Sequence, residues 1–380
     1  MKVFGLLTCF VLLVSRPVLA QDDSAQQALR GAIELQQSGH YTEAIEAYRM
    51  FLKSHPEMAA VRSNLGAALA HEGHYSDAIR EYSLALKADP SNPGIRLNLG
   101  LAYYKTGDIA EAAREFETVY THQTANDPLY ERVALLLADC DLREGKNQEV
   151  VALLDPIAAI DADNRTLDYL LGTALLHLGQ IERGTPFIQR LLDNGDTAEG
   201  HMLMAYTRWA AHDKAGALAE VKRVIDLNPN MPEAYSLGGR LAFLESDMKG
   251  AEASFRKAMA LDPNNFDALL WIGTLLRQEG ELQESEKNLT RALELRPTEI
   301  RARFQFARLC SDEGDDKRAA TLLEALIKDH PEYTEAHRTL ATIYFRLARP
   351  EDGRRERKIA EQMDAAIQKR DQEKGRSMTK

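Results

Sequence analysis

A 34-residue spacing between prolines is the feature that most restricts how this chain can fold. Pro56 and Pro90 are 34 residues apart, and the same interval separates the consecutive members of a second set: Pro229, Pro263, Pro297 and Pro331. Only 13 of the 380 residues are proline, so repeated coincidence at one interval is not accidental. A fixed period of about 20 to 50 residues indicates repeats, each one supersecondary unit packed against its neighbours.

Glycine, alanine and aromatic residues keep the same register. Glycines at one-period intervals are each followed five residues later by an alanine and nine residues later by an aromatic: Gly39, Gly73 and Gly107, then Ala44, Ala78 and Ala112, then Tyr48, Tyr82 and Phe116. The alanine and the aromatic are four residues apart, which is one helical turn. Both are therefore expected on one buried helix face.

This pattern resembles the tetratricopeptide repeat (TPR) family, whose units are two antiparallel helices with a Leu-Gly pair, aromatic and small residues, and a closing proline. The pair occurs four times: Leu65-Gly66, Leu99-Gly100, Leu171-Gly172 and Ile272-Gly273. In Asp262-Pro263-Asn264 the proline cannot continue a helix, and Asp and Asn cap the next one. The resemblance implies an all-α fold, a right-handed α-solenoid of antiparallel helix pairs with about nine to ten TPR units and a C-terminal capping helix.

Unit boundaries follow when the proline is placed at position 32. The predicted units are 25–58, 59–92, 93–126, 131–164, 165–198, 198–231, 232–265, 266–299 and 300–333, followed by a partial unit at 334–349 and a charged capping helix and tail at 350–380. The fourth and fifth units depart most from the pattern, because Val150 and Gly184 stand at the small position and no proline closes either unit. His212 and Ser246 replace the usual glycine in the sixth and seventh units.

Residues 1–20 are expected to be a cleavable signal peptide. A basic residue precedes the apolar run Val3–Val14, and the segment ends in small and apolar residues at Val18–Ala20. The run is shorter than the roughly 20 residues that cross a bilayer, so cleavage is favoured over an uncleaved anchor. Lipidation at Cys9 is disfavoured because only eight residues precede it. We therefore expect an exported protein, periplasmic or secreted after cleavage near Ala20.

Composition argues against several other classes of protein. The net charge of −11, from 47 basic and 58 acidic residues, disfavours nucleic-acid binding. Three cysteines exclude a disulfide scaffold or a Cys-rich zinc module, and Cys140 and Cys310 are expected to be buried thiols. A calcium-loop-like start at 161–164 lacks the required glycine. Because no phosphate loop, nucleophile elbow or HExxH motif occurs, we expect no enzyme activity, no cofactor and no metal.

The family resemblance implies that positions 2, 5, 9, 12 and 13 of each unit face the concave side, where partners bind. These positions carry the arginines Arg240, Arg277, Arg301, Arg308, Arg338 and Arg346, and the aromatics Tyr104, Tyr169, Tyr206, Trp209, Phe243, Phe304 and Phe345. Arginine and aromatic side chains supply much of the binding energy at protein interfaces. The predicted groove takes an extended, acidic partner segment. The alternative is internal pairing of the arginines with the position-2 acids Glu199, Glu233, Asp267 and Glu335.

The function indicated by this resemblance is a noncatalytic protein–protein interaction scaffold outside the cytoplasm. A second interpretation is a regulatory or targeting subunit of an envelope polysaccharide or cell-wall synthesis and export complex. The clamp with which some family members hold chaperone C-termini is not expected, because Asn64 alone matches its required residues. The sequence leaves the partner and the oligomeric state open.

Overall fold

The computed structural model describes residues 23–125, 127–159 and 164–378, and within these ranges the chain is all-helical. The twenty helices there are α1 (Asp23–Gln37), α2 (Tyr41–Ser54), α3 (Ala59–His71), α4 (Tyr75–Ala88), α5 (Pro93–Thr106), α6 (Ile109–Tyr120), α7 (Tyr130–Arg143), α8 (Asn147–Ala158), α9 (Arg165–His177), α10 (Ile181–Asp193), α11 (Ala198–Ala210), α12 (Lys214–Leu227), α13 (Pro232–Leu244), α14 (Met248–Leu261), α15 (Phe266–Glu279), α16 (Leu282–Leu295), α17 (Ile300–Asp312), α18 (Asp316–Asp329), α19 (Thr334–Arg346) and α20 (Pro350–Met378). The predicted signal peptide, 1–20, lies outside the described residues, as does most of the calcium-loop-like segment.

Helices pack in sequential pairs, and the first helices of successive pairs also contact one another. The pairs include α3 with α4 and α15 with α16, while the neighbouring first helices include α7 with α9, α15 with α17, and α17 with α19. This is an α-solenoid built from helix pairs, and the fold class predicted from the sequence is confirmed. The chain divides into two compact units, Met1–Ala211 (the N-terminal unit) and His212–Lys380 (the C-terminal unit).

Glycines on several first helices mark places where a first helix packs closely on a second helix. In the N-terminal unit, a Cβ atom on Gly100 would lie 2.6 Å from Cε1 of Phe116. In the C-terminal unit, Gly239 has the same relation to Phe255, also at 2.6 Å. Both rings are fully buried. Glycine is required here because any larger residue would occupy the space of the aromatic ring.

The turn inside each helix pair contains a residue in the left-handed backbone region. Glycine supplies it in seven turns, at Gly39, Gly73, Gly107, Gly145, Gly179, Gly280 and Gly314. Three other turns adopt the same conformation with a side chain present, at His212 (φ 61°), Ser246 (φ 62°) and Ala348 (φ 57°). Since L-residues are strained in this region, these turns keep the repeat geometry at an energetic cost.

A recurring polar contact joins the proline turn that ends one helix pair to both helices of the next. Arg62 donates from Nε to the carbonyl oxygen of Pro56 (2.8 Å) and from Nη1 to Oε2 of Glu81 (2.8 Å). Arg96 makes the equivalent pair of contacts one period later. His337 does the same in the C-terminal unit, where its two ring nitrogens face Pro331 and Glu356. Each contact fixes a helix pair to the preceding turn.

Two cysteines lie in the described parts of the chain, and both are buried free thiols. Burial, reinforced by the charge of Asp139, raises the pKa of Cys140 to about 12. Burial also raises the pKa of Cys310. Both groups are therefore protonated and poorly nucleophilic near neutral pH. Across the described residues, none of the helices combines the length and apolar character that a membrane span requires.

Candidate partner-binding surface

Four neighbouring first helices of the C-terminal unit carry the six predicted arginines. Arg240 is on α13, Arg277 on α15, Arg301 and Arg308 on α17, and Arg338 and Arg346 on α19. Contacts between α13 and α15, α15 and α17, and α17 and α19 make these helices a continuous row. Residues at equivalent positions of successive first helices therefore come side by side.

A cleft of about 310 Å³ lies between α17 and α19, and we call it the arginine cleft. Its lining residues are Arg308, Ser311, Asp312, Arg338, Thr339, Thr342 and Arg346. Three of the six predicted arginines thus come together around one cavity. Arg277 is adjacent to it, since its Nη1 forms an ion pair with Asp312.

Three arginines at or beside this cleft have carboxylate partners. Arg277 pairs with Asp312, and Arg338 Nη2 lies 2.5 and 2.6 Å from the two carboxylate oxygens of Asp364. Arg346 Nη2 lies 3.0 Å from Oδ1 of Asp316 and also contacts Ser311. The acids in these pairs are not the position-2 residues considered from the sequence. Of those residues, Glu335 adds a weaker attraction to Arg338.

Arg308 differs from the other arginines that line the cleft. Among the described residues it has no carboxylate within ion-pair distance, and its guanidinium lies 5.9 Å from the centre of the Phe304 ring. Partial burial, with the nearby positive charge of Arg277, lowers the pKa of Arg308, and Asp312 opposes this effect only in part. A half-buried cation beside a second cation favours an added negative charge.

Arg277 retains unused hydrogen-bond donors despite its ion pair. The residue is only 6% exposed, and its Nε and Nη2 atoms have no hydrogen-bond acceptor among the described residues. A buried donor without an acceptor costs about 1–3 kcal/mol. An acceptor supplied by a ligand would remove that cost.

The predicted residue Phe243 forms an aromatic patch with Trp271 in the same unit. Their ring centroids are 5.5 Å apart in an edge-on arrangement, and the Arg240 guanidinium lies 5.3 Å above the Trp271 ring. Arg301 is exposed at the start of α17, where its backbone N–H donates to Glu299. The patch offers apolar area on the row of helices that carries the arginines.

Four of the predicted aromatics lie in the N-terminal unit, which has its own polar cluster: Tyr104, Tyr169, Tyr206 and Trp209. The Tyr104 hydroxyl donates to Asp139 and accepts from Nη2 of Arg143 at 2.6 Å. Burial, followed by the hydrogen bond to Asp139, raises the pKa of Tyr104. Burial, followed by the charge of Asp139, likewise raises the pKa of Tyr169 on α9. Tyr206 and Trp209 are on α11. These residues do not belong to the arginine cleft.

The sequence interpretation missed three residues that shape this surface. Asp312 is at position 13 of its unit, one of the positions implied to face the groove, but only arginines and aromatics were selected from those positions. Trp271 is at position 6, and Tyr333 is the last residue of its unit, outside the positions implied to face the groove. Tyr333 packs edge-on against Phe304, at a centroid distance of 5.3 Å, and interacts electrostatically with Arg308. In the described residues, no group of three or more His, Cys, Asp or Glu is arranged to hold a metal ion.

Comparison with solved structures finds several proteins of low sequence identity. A monomeric mutant of IFIT1 with Gppp-AAAA aligns over 90% of each chain, at 15% identity and a TM-score of 0.51. A tetratricopeptide repeat protein from Parabacteroides merdae ATCC 43184 covers 63% of this chain and 94% of its own, at 16% identity and a TM-score of 0.49. MamA covers 44% of this chain and 97% of its own, at 20% identity and a TM-score of 0.38. At these identities the likeness concerns the fold alone.

Comparison with curated proteins finds no significant match. Two family models, both described as tetratricopeptide repeat, match the sequence. One matches residues 29–93 and 202–266, and the other matches 69–140, 242–303 and 276–343. Together they span more than half of the chain, including all of α17 and most of α19. The chain therefore belongs to the tetratricopeptide repeat family.

Proposed function

We propose that this protein is a noncatalytic scaffold that works outside the cytoplasm and binds an acidic segment of a protein partner on the first helices of its C-terminal unit. Repeats of this family indicate a protein–protein interaction scaffold, and proteins built from them are typically noncatalytic. The observation that carries the binding proposal is Arg308, a half-buried cation in a cleft, with no carboxylate partner among the described residues.

The chemistry of the surface supports an acidic segment. A guanidinium binds a carboxylate through two parallel hydrogen bonds, which are roughly twice as strong as bonds between neutral groups. The cleft is open enough to admit such a group, at about 310 Å³. Phe243 and Trp271 add apolar area on the same row of helices. An extended segment could use both features, with the acidic residue giving selectivity and the apolar contact adding affinity.

The proposal for export has separate support. It rests on the pattern of residues 1–20, in which a basic start, a short apolar run and small residues precede an acidic stretch. It predicts that the protein recovered from its source begins at Gln21. Recovery of protein that begins at Met1 would contradict it.

A peptide selection tests the binding proposal. A display library of random twelve-residue peptides is selected on the full chain, on R308E and on K249E. Lys249 is an exposed residue of α14, so its reversal changes the net charge equally while leaving the cleft intact. We expect Asp and Glu to be enriched in peptides selected on the wild-type chain and on K249E, and not on R308E. Equal enrichment on all three proteins, or no acidic preference on the wild type, would refute the proposal.

A further inference from the structure

We infer that the arginine cleft binds one carboxylate group of the partner through Arg308 and Arg277. Arg338 and Arg346 instead have a structural role, through their ion pairs with acids of the protein. The inference rests on the proposed function and deepens it. It specifies the charge and the chemistry of the group that the partner inserts, and it separates ligand-binding arginines from structural ones.

The charge balance at the cleft gives the first argument. Four arginines at or beside the cleft are matched, among the described residues, by three paired carboxylates, on Asp312, Asp316 and Asp364. Arg308 is the one of these four arginines that has no ion-paired carboxylate among the described residues. A carboxylate would match the single charge of Arg308, whereas a phosphate monoester, with a charge of about −1.5 to −2 at neutral pH, would exceed it.

The hydroxyl groups that line the cleft also disfavour a phosphate. Ser311 Oγ donates to Oδ1 of Asp316 (2.9 Å), Thr339 Oγ1 donates to the Glu335 carbonyl (2.8 Å), and Thr342 Oγ1 donates to the Arg338 carbonyl (3.1 Å). Each hydroxyl has a single hydrogen, and that hydrogen is already used, so none of the three has a free donor. A phosphate needs donors on three oxygens, and these hydroxyls offer none without first losing their present bonds.

The donors that remain suit a planar, two-oxygen acceptor. Arg308 forms no ion pair among the described residues, and Arg277 retains Nε and Nη2 as unpaired donors there. Tyr333 interacts electrostatically with Arg308 and packs against Phe304. Burial raises the pKa of Tyr333, so the hydroxyl keeps its proton and can donate. Two guanidinium groups and one phenol at or near the cleft can therefore donate to a carboxylate.

Calorimetric titration with matched peptides tests this assignment. The probe is an acidic peptide from the selection described above, synthesised with Glu, Gln or phosphoserine at the enriched acidic position. A further version with an amidated C-terminus distinguishes a side-chain carboxylate from a chain-terminal one. The full chain is compared with R308Q, R338Q, Y333F and D312N, each checked for folding by circular dichroism.

We expect Glu to bind roughly tenfold or more tighter than Gln on the wild-type chain, and phosphoserine to gain no more than about threefold over Glu. R308Q should bind the Glu and Gln peptides equally, whereas R338Q should stay within about threefold of the wild type. Y333F should bind the Glu peptide a few-fold more weakly than the wild type does, with no change in its affinity for the Gln peptide. D312N leaves Arg277 as well as Arg308 without a carboxylate partner. It should therefore raise the affinity for the Glu peptide, and it should raise the affinity for the phosphoserine peptide by a larger factor.

Two results would overturn the inference while leaving the proposed function standing. One is an equal loss of affinity in R308Q and R338Q, which would indicate that all the arginines of the cluster contribute to binding. The other is a phosphoserine peptide that binds at least about tenfold tighter than the Glu peptide on the wild-type chain, which would assign a dianion. A selection that yields no acidic peptides would instead remove the proposed function, and this inference with it.

Discussion

The space between two packed helices determines which residue type fits at particular positions of this protein. Gly100 and Gly239 each lie on the first helix of a pair, against an aromatic ring of the second helix. Gly31 is also inside a helix, yet nothing lies within 4 Å of the place where its Cβ would be. The same residue type therefore has a packing role at two positions and none at the third.

This contrast makes a testable prediction for Gly239→Ala. The new methyl group would lie 2.6 Å from Phe255, inside the contact distance of two carbon atoms, so the ring or the helix must shift. Overpacking of this kind costs about 1–3 kcal/mol. We expect a lower thermal unfolding midpoint for G239A. The control G31A should be neutral or more stable by up to about 1 kcal/mol, because alanine is the better helix former. An equal change in both variants would contradict the packing explanation.

The partners of the arginines could not be predicted from the sequence, although the period placed the arginines on the first helices. Arg277 is at position 12 of its unit, about ten residues and 15 Å along the helix from an acid at position 2, which is beyond the reach of its side chain. Asp312 is at the same level on the next first helix, 35 residues away in the sequence. Arg346 reaches Ser311 over the same separation. Such pairs depend on the exact offset between neighbouring helices, which a single sequence does not specify.

At the scale of the helix pair, the left-handed turn is retained even where glycine is absent. In the turn that contains Ser246, the backbone N–H groups of Ser246 and Asp247 donate to the carbonyls of Phe243 and Ala242, at 3.1 and 2.9 Å. In the turn that contains Gly314, Asp315 makes the corresponding bond to Cys310. The sequence pattern marked Ser246 as a departure, and the hydrogen bonds explain why the turn survives it.

We therefore expect Ser246→Gly to stabilise the protein. Glycine adopts a φ near 62° without the clash that a Cβ introduces, a difference of about 1 kcal/mol after its greater freedom in the unfolded chain is included. The reverse substitution, Gly314→Ser, should destabilise by a similar amount, since φ there is 87°. Urea unfolding midpoints measure both. A stabilised G314S, or a destabilised S246G, would show that another interaction of these side chains dominates.

The fifth predicted unit shows how a departure from the sequence pattern can keep the helix pair. Ile188 occupies the place of the aromatic, and a Cβ on Gly172 would lie 3.1 Å from its Cγ1. Gly184, at the small position, lies close to Leu175 and to the carbonyl oxygen of Gly172. On α10 an isoleucine thus replaces the larger aromatic, and both α9 and α10 have a glycine where they meet. The sequence marked this unit as irregular, but only the structure relates the two changes to each other.

At the scale of the whole molecule, stability is distributed along the chain in local clusters. One cluster is formed by residues between Ala25 and Ala102 in the N-terminal unit, and another by residues between Phe304 and Tyr344 in the C-terminal unit. Helices contact mainly those next to them in the sequence. In arrays of this kind, stability is approximately a sum of the intrinsic stability of each repeat and its interfaces with neighbours. A local defect should therefore have a local effect.

Hydrogen exchange on a matched pair of variants tests this expectation. Gly100→Ala and Gly239→Ala introduce the same 2.6 Å contact with a phenylalanine ring, one in the N-terminal unit and one in the C-terminal unit. We expect G100A to speed amide exchange in α5, α6 and the helices next to them, with α15 to α19 unchanged, and G239A to speed exchange in α13, α14 and their neighbours, with α1 to α5 unchanged. Faster exchange throughout the chain in either variant would instead indicate that the protein unfolds as one cooperative body. In that case a defect in the N-terminal unit would also increase unfolding of the helices that carry the arginine cleft, whereas local unfolding predicts that G100A binds the acidic peptide with wild-type affinity.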